Sequence, residues 1–336
     1  MSGNAVDSRG ERRPHGSPAP GTGAVAATGG LLDNRRLMGF AFLAPAVVYI
    51  ALLIGVPFVT AFAYSLSDAT VGNTDFRFAG LRNFETVLSA PDFHAALRNT
   101  FVFTIVAQVF VLILANMLAL ILTAPLPQNR LVRGGMWGAR LLLIMPWATP
   151  LALSVIGWLW MFDSKYSPID YLLEQVGLLG PGSVWGPSRN LTWLGKTYLA
   201  KASIIFVHVW RMTPLATVIL MAGLSSIPTD LSDQAKADGA RYFRALFQVK
   251  LPLILPIMLN SLLFSFIFTF GDLTVVYVLT RGGPINHTLT LPMYSFLVGI
   301  DGGNLSQGAA IALFIFPVLL AVAIVMLRGA SRAQVR

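Results

Sequence analysis

From Leu37 to Ser67 the chain runs 31 positions without a charged residue. Few structures accommodate such a run. About 20 residues at 1.5 Å each cross the hydrocarbon core of a bilayer, whereas the apolar part of a secretory leader ends after roughly 7–15 residues. The run reads as a membrane span with length to spare. Lipid offers no hydrogen bonds, so the backbone must satisfy its own N–H and C=O groups, and a helix does this within one segment.

Five further apolar runs follow, at roughly 99–123, 141–162, 200–222, 253–280 and 307–328. The expected fold is therefore an all-α membrane protein with six transmembrane helices. Only 12% of the 336 residues are charged, about half the share in soluble domains. The fifth run ends at Thr280-Arg281-Gly282-Gly283-Pro284, a cluster of helix breakers. Pro45, Pro57, Pro146, Pro150 and Pro317 fall inside spans and predict kinks. The seven Trp fall mostly near predicted span ends, as an interfacial belt would. Residues 1–36, rich in Gly, Ala, Ser, Pro and Arg without apolar period, read as a disordered tail, and 331–336 as a short C-terminal one.

The net charge of +9 raises the question of nucleic acid, but its distribution answers otherwise. Of the 24 Lys and Arg, 15 lie in the tail, 124–140, 224–252 and the C-terminus; 8 lie in 68–98, 163–201 and 281–306. The positive-inside rule places both termini in the cytoplasm, with membrane rather than nucleic acid as the partner. Cysteine is absent and the four His are scattered, so the sequence holds no thiolate or zinc-type metal site.

The longest polar interruption in the second half runs from Pro228 to Pro256. Thr229 and Asp230 are N-cap candidates, and Asp230 and Asp233 sit where a helix dipole favours negative charge. Gly239 interrupts this helix. In a second piece Tyr242, Phe243, Leu246 and Phe247 share a face. A helix–glycine–helix elbow between spans suits the membrane surface and a partner there.

The order Asp233-Gln234-Ala235, then Gly239, then Val249-x-Leu251-Pro252 resembles the EAA loop of ABC importer permeases, with Asp233 in place of Glu and Gln234 in place of Ala. Asp238-Gly239-Ala240 and Pro256 resemble the carbohydrate-uptake branch. So do Phe78-Ala79-Gly80-Leu81-Arg82-Asn83-Phe84, Pro91-Asp92-Phe93, Asn99-Thr100, Trp210-Arg211-x-x-Pro214 and the Thr280–Pro284 box. The resemblance covers residues 38–330. It implies a type I ABC importer transmembrane domain: first span and outer segment over 37–98, core over 99–330, and a cytoplasmic coupling loop over 228–252.

The resemblance also implies roles. Asp230, Asp233, Gln234, Ala235, Asp238, Gly239, Ala240, Tyr242 and Phe243 would engage a cytoplasmic ATPase. His208, Arg211, Met212 and Leu215 from the fourth span, with Ser265, Phe268, Thr269 and Asp272 from the fifth, would line the substrate path. The implied partners are a second permease of similar fold, two ATPases and an extracytoplasmic binding protein. ATP and Mg²⁺ belong to the ATPases, leaving this chain without catalytic residue, cofactor or metal.

Residues alone agree on several points. Arg211 and Asp272 lie at bilayer depth, where charge is costly and faces a cavity or partner. Gly195-Lys196-Thr197 ends like a P-loop, but Asn190 occupies the position of its first glycine. Three rivals to a sugar importer stay open. One is a glycerol-phosphate or phosphodiester importer, with Arg211 facing phosphate. Another is an ion-coupled transporter, which predicts internal repeats that are not evident. The last is a non-transporting membrane scaffold.

Overall fold

The computed structural model describes residues 35–73, 76–124 and 129–334. The tail expected over 1–36 lies outside them up to position 34. The chain divides into two compact units, residues 1–56 and 57–336. In the first, helix α1 (Arg35–Ile50) is followed by a π-helical turn, Ala51–Gly55, and exposes Phe40, Leu43, Val47 and Tyr49.

The second unit holds the remaining helices: α2 (from Val56 to Ser65), α3 (Arg82–Ser89), α4 (Pro91–Leu122), α5 (Arg130–Ala148), α6 (Leu151–Met161), α7 (Pro168–Gln175), α8 (Thr197–Ser225), α9 (Thr229–Ala237), α10 (Tyr242–Ala245), α11 (Leu251–Phe270), α12 (Thr274–Leu279), α13 (Leu291–Phe296), α14 (Leu305–Leu313) and α15 (Ile315–Gln334). Helix α15 reaches into the expected C-terminal tail.

Five stretches are long and apolar enough to cross a membrane: Met38–Ser65, α4, α8, Tyr242–Phe270 and Leu305–Ala333. The expected third span departs from a kinked rod. Helices α5 and α6 meet at 98°, and the chain has six crossings only when this bent pair is counted as one span. Pro150 clashes with a helical residue before it, and Thr149 accordingly adopts an extended backbone, ψ 137°. The fifth span also differs, stopping at Phe270 and resuming at Thr274.

Prolines elsewhere are absorbed differently. A π-helical turn at Leu246–Lys250 spans the position four residues before Pro252, where a proline ring would strike the carbonyl of a tight α-turn.

The core forms where α4, α8 and α11 meet. Hydrophobicity does not drive helix association in lipid; close packing and interhelical hydrogen bonds do. Helix α4 accordingly buries a stripe of small side chains at three- and four-residue steps, Ala96, Ala107, Ala115 and Ala119 among them. The Trp residues do not all form a belt: Trp158 packs edge-on against Trp210 at 5.3 Å and stacks with Phe162 at 5.6 Å.

The connecting segments bring together the sequence boxes. Asn83 Nδ2 donates to the carbonyls of Ser65 and Ser67 (2.9 and 2.6 Å), closing the end of α2. Asn99 Nδ2 donates to the carbonyls of Asn286 and Leu289, and Thr100 Oγ1 accepts from Leu291 N–H. The Asn-Thr pair at the start of α4 thus holds the loop that follows the Thr280–Pro284 box.

Gly308 and Gly299 touch backbone to backbone, and a Cβ on Gly308 would sit 2.4 Å from Gly299 Cα. Gly308→Ala should therefore destabilise the fold by on the order of 3 kcal/mol. A Cβ on Gly134 of α5 meets nothing within 4 Å, so Gly134→Ala should be neutral or slightly stabilising. Thermal unfolding of the detergent-solubilised variants checks both; equal melting temperatures would disprove the contact.

Candidate functional site

Two regions carry the expected site residues. The first is the elbow. Helix α9 ends in a left-handed glycine cap: Gly239 has φ +74°, and Ala240 N–H donates back to Ala235 O at 2.9 Å. This six-to-one closure needs a residue free to adopt positive φ. The chain then turns through Arg241 into α10, which leads without a break through the π-helical turn into α11, a single helix of 29 residues from Tyr242 to Phe270. The second arm is thus the end of a span and not a separate surface helix.

The second arm of the elbow is therefore continuous with the helix that reaches the core. Asp230, Asp233, Gln234 and Asp238 are exposed, as are Tyr242, Phe243 and Phe247. Ala235 and Leu246 are buried. Leu246 therefore leaves the face expected for it and fastens the elbow inward.

The second region is a buried polar cluster where α4, α8 and α11 cross. His208 Nδ1 lies 2.7 Å from Asp272 Oδ2, and its Nε2 lies 2.8 Å from Thr269 Oγ1. Thr269 Oγ1 donates to Ser265 O and accepts from Gln108 Nε2, each at 2.7 Å. Asp272 Oδ1 also accepts from Val275 N–H at 3.0 Å, capping the first turn of α12. One carboxylate thus anchors both sides of the break in the fifth span and ties it to the fourth. His208 is fully enclosed, so in this conformation it positions Asp272 and does not meet solvent.

Arg211 makes no hydrogen bond with that pair, although the Asp272 carboxylate acts on its charge from beyond ion-pair distance. Its guanidinium carbon lies 5.1 Å from the Trp147 ring centre, and Trp147 meets Phe268 edge-on at 5.7 Å. Phe268 is half exposed. Of the other expected path residues, Met212 is buried in the apolar core with Ala107, Val111 and Ile254, Leu215 is partly exposed, and Ser265 is buried with its hydroxyl unpartnered. The structure thus separates a structural cluster (His208, Thr269, Asp272) from an accessible one (Arg211, Phe268).

Sequence reasoning missed Gln108 and Trp147. A glutamine at mid-span is costly in lipid, which was the available signal for Gln108. Trp147 was hidden because its place depends on the sharp bend two residues later. An apolar groove of about 860 Å³ runs beside α8, lined by Phe110, Leu114, Leu143, Pro146 and Phe206; it offers a polyol almost nothing to bond. The Gly195-Lys196-Thr197 run opens α8 after a loop held by Asn190 Nδ2 on the carbonyls of Ser164 and Lys165, not the strand-to-helix setting a P-loop requires.

Residues 21–333 match the profile of the binding-protein-dependent transport system inner membrane component. The chain belongs to that family. It is a multi-pass inner-membrane permease component of an ABC importer, and ATP hydrolysis is left to a separate subunit. The chain is 28% identical over 298 residues to the permease of a sulfoquinovosyl glycerol transport system of Agrobacterium fabrum, covering 87% of this chain and 90% of the relative. It is 29% identical over 301 residues to a trehalose/maltose permease of Thermococcus litoralis, covering 90% and 96%. Its fold matches a bacterial ABC transporter that imports the acidic polysaccharide alginate, with TM-score 0.73 at 16% identity, over 89% of this chain and 96% of that one.

Proposed function

We propose that this permease translocates a saccharide delivered by an extracytoplasmic binding protein, as one half of a membrane heterodimer driven by two cytoplasmic ATPases. ATP and Mg²⁺ sit on those ATPases. Both termini and the elbow face the cytoplasm, a reading supported by the excess of Lys and Arg on that side. The saccharide reading is supported by family relatives named for sugar cargo and by an accessible mix of aromatic faces and a cation in the path, which suits a ligand with both CH faces and hydroxyls.

The observation that supports the mechanism is the continuous helix from the elbow to the core. The Gly239 cap presents α9, and α10 continues into α11 up to the cluster at Thr269. Closure of the ATPases displaces α9, that helix moves with it, and the packing at the break shifts between discrete arrangements.

Proteoliposomes holding this chain, its partner permease, the ATPases and the binding protein test the reading. ATP-dependent uptake of labelled saccharides from a neutral and acidic panel is expected, exceeding uptake of glycerol 3-phosphate. Preference for glycerol 3-phosphate, or saccharide uptake by this chain without ATPase, would overturn it.

A further inference from the structure

The geometry points to a binding site for an anionic phospholipid beside α8, with an acyl tail along the apolar groove and the headgroup phosphate at Lys201 and Thr290. The inference goes beyond the importer reading and does not depend on the identity of the cargo.

Two cavities meet at Lys201. The first is the groove of about 860 Å³ between α4, α5 and α8. It follows α8 from Tyr198 to Pro214, roughly 24 Å at 1.5 Å per residue. One leaflet is about 15 Å deep, half of a ~30 Å hydrocarbon core, so an acyl tail fits along it. Phe110 and Phe206 on its wall are half exposed and would meet the tail.

The second cavity, of about 20 Å³, lies across Lys201 and Ile205, which line both. Its far wall is polar, with Asn99, His287, Thr288 and Thr290. A water needs about 10–15 Å³, so the space admits one oxygen and no sugar ring. That removes the cargo as its occupant. Most of the polar wall is already committed. Asn99 Nδ2 donates to the carbonyls of Asn286 and Leu289, and Thr288 Oγ1 bonds Thr280 Oγ1 and the Gly283 carbonyl. Thr290 differs: it is 1% exposed, and its hydroxyl is buried without a partner. Such a group is costly until something polar reaches it.

Lys201 sits in the second turn of α8, half-buried, with no ion pair among the described residues. A lysine near a span end extends along apolar surface and holds its ammonium at headgroup depth. Here that stem separates an apolar groove from an unpartnered hydroxyl. A glycerophospholipid presents the matching order, tail and then phosphate. One phosphate oxygen accepts from Thr290 Oγ1–H while the ammonium offsets the charge. A zwitterionic headgroup would set its own cation against Lys201, so a net-negative one is favoured. The apolar flank of another membrane helix would fill the groove but leave Lys201 and Thr290 without an anion.

The test counts bound lipid by native mass spectrometry on the assembled transporter, delipidated in detergent and titrated with phosphatidylglycerol or phosphatidylcholine. The wild type should hold phosphatidylglycerol about five-fold more tightly than phosphatidylcholine, the worth of one lysine at a lipid surface. Lys201→Gln should remove that preference and Lys201→Arg should keep it. Thr290→Val should weaken phosphatidylglycerol about three-fold, as loss of one hydrogen bond does. Ala202→Trp fills the groove and should reduce retention of both lipids. Excess inorganic phosphate should leave the lipid count unchanged. If Thr290→Val does not assemble, the wild-type preference and the two Lys201 variants decide the matter. Equal retention of the two lipids by the wild type, an unchanged preference in Lys201→Gln, or displacement by phosphate overturns the site. An Ala202→Trp chain that inserts but no longer joins the second permease would make the groove a helix seat, and also overturns it. None of these outcomes touches the importer reading, which stands or falls on ATP-dependent uptake.

Discussion

Gly239→Pro should abolish association with the ATPase while leaving the permease inserted in the membrane. The left-handed cap at Gly239, φ +74°, is the hinge on which α9 is presented. Proline fixes φ near −65°, so the closure from Ala240 N–H to Ala235 O cannot form and α9 swings out of register with α10. Space is not the issue, because a Cβ at Gly239 meets nothing within 4 Å. Gly239→Ala should accordingly be much milder, costing about 1–2 kcal/mol for the left-handed backbone and weakening association only partly. Asp233→Lys should also release the ATPase, since it reverses charge on the exposed side of α9. Co-purification of the ATPase with each variant reads the series. Normal recovery with both Gly239→Pro and Asp233→Lys would remove the elbow from the coupling mechanism.

Asp272→Ala should reduce uptake at least ten-fold in an assembly that still forms. Losing one partner of a buried pair costs about 3–5 kcal/mol in soluble proteins, but single hydrogen bonds between membrane helices average nearer 0.6 kcal/mol. The second figure governs insertion and assembly, which rest on the packing of α4, α8 and α11. The effect on transport comes from position: Asp272 joins His208 of the fourth span to the restart of the fifth at Val275. Asp272→Asn keeps an acceptor for Val275 N–H and should fall between wild type and alanine, and His208→Gln should resemble it. Initial uptake rates in proteoliposomes make the comparison. Unchanged kinetics for Asp272→Ala would show that the break in the fifth span is static.

The spans were legible in the sequence because lipid imposes one simple rule: long uncharged runs become helices. Their internal breaks were not. Pro150 signalled a kink, but a near-right angle required knowing that Thr149 would turn extended and α6 would lie beside α12. The break at Gly271–Leu273 had no proline to announce it; it exists because Asp272 caps α12, a tertiary arrangement. The elbow glycine was readable because its left-handed backbone, φ +74°, favours glycine over other residues. The face of α10 was half readable: Tyr242, Phe243 and Phe247 are exposed, yet Leu246 turned inward once α10 proved continuous with the span. Of the residues the resemblance assigned to the substrate path, His208, Thr269 and Asp272 meet in one hydrogen-bonded cluster whose burial makes them a brace within the fold, whereas Arg211 gained its setting from Trp147, a neighbour no spacing rule supplies.

The central claim is that α9 and Gly239 form the seat of the ATPase on the cytoplasmic side. The chain has no cysteine, so Asp238→Cys creates a unique thiol at an exposed position of the elbow. The decisive measurement is a short bifunctional thiol crosslink from that position in intact inverted membrane vesicles containing the whole transporter. The account expects a covalent adduct with the ATPase, formed by reagent applied to the cytoplasmic face and reduced in yield when nucleotide changes the ATPase conformation. Labelling only from the opposite face, or a cytoplasmic thiol that never joins the ATPase, would contradict it.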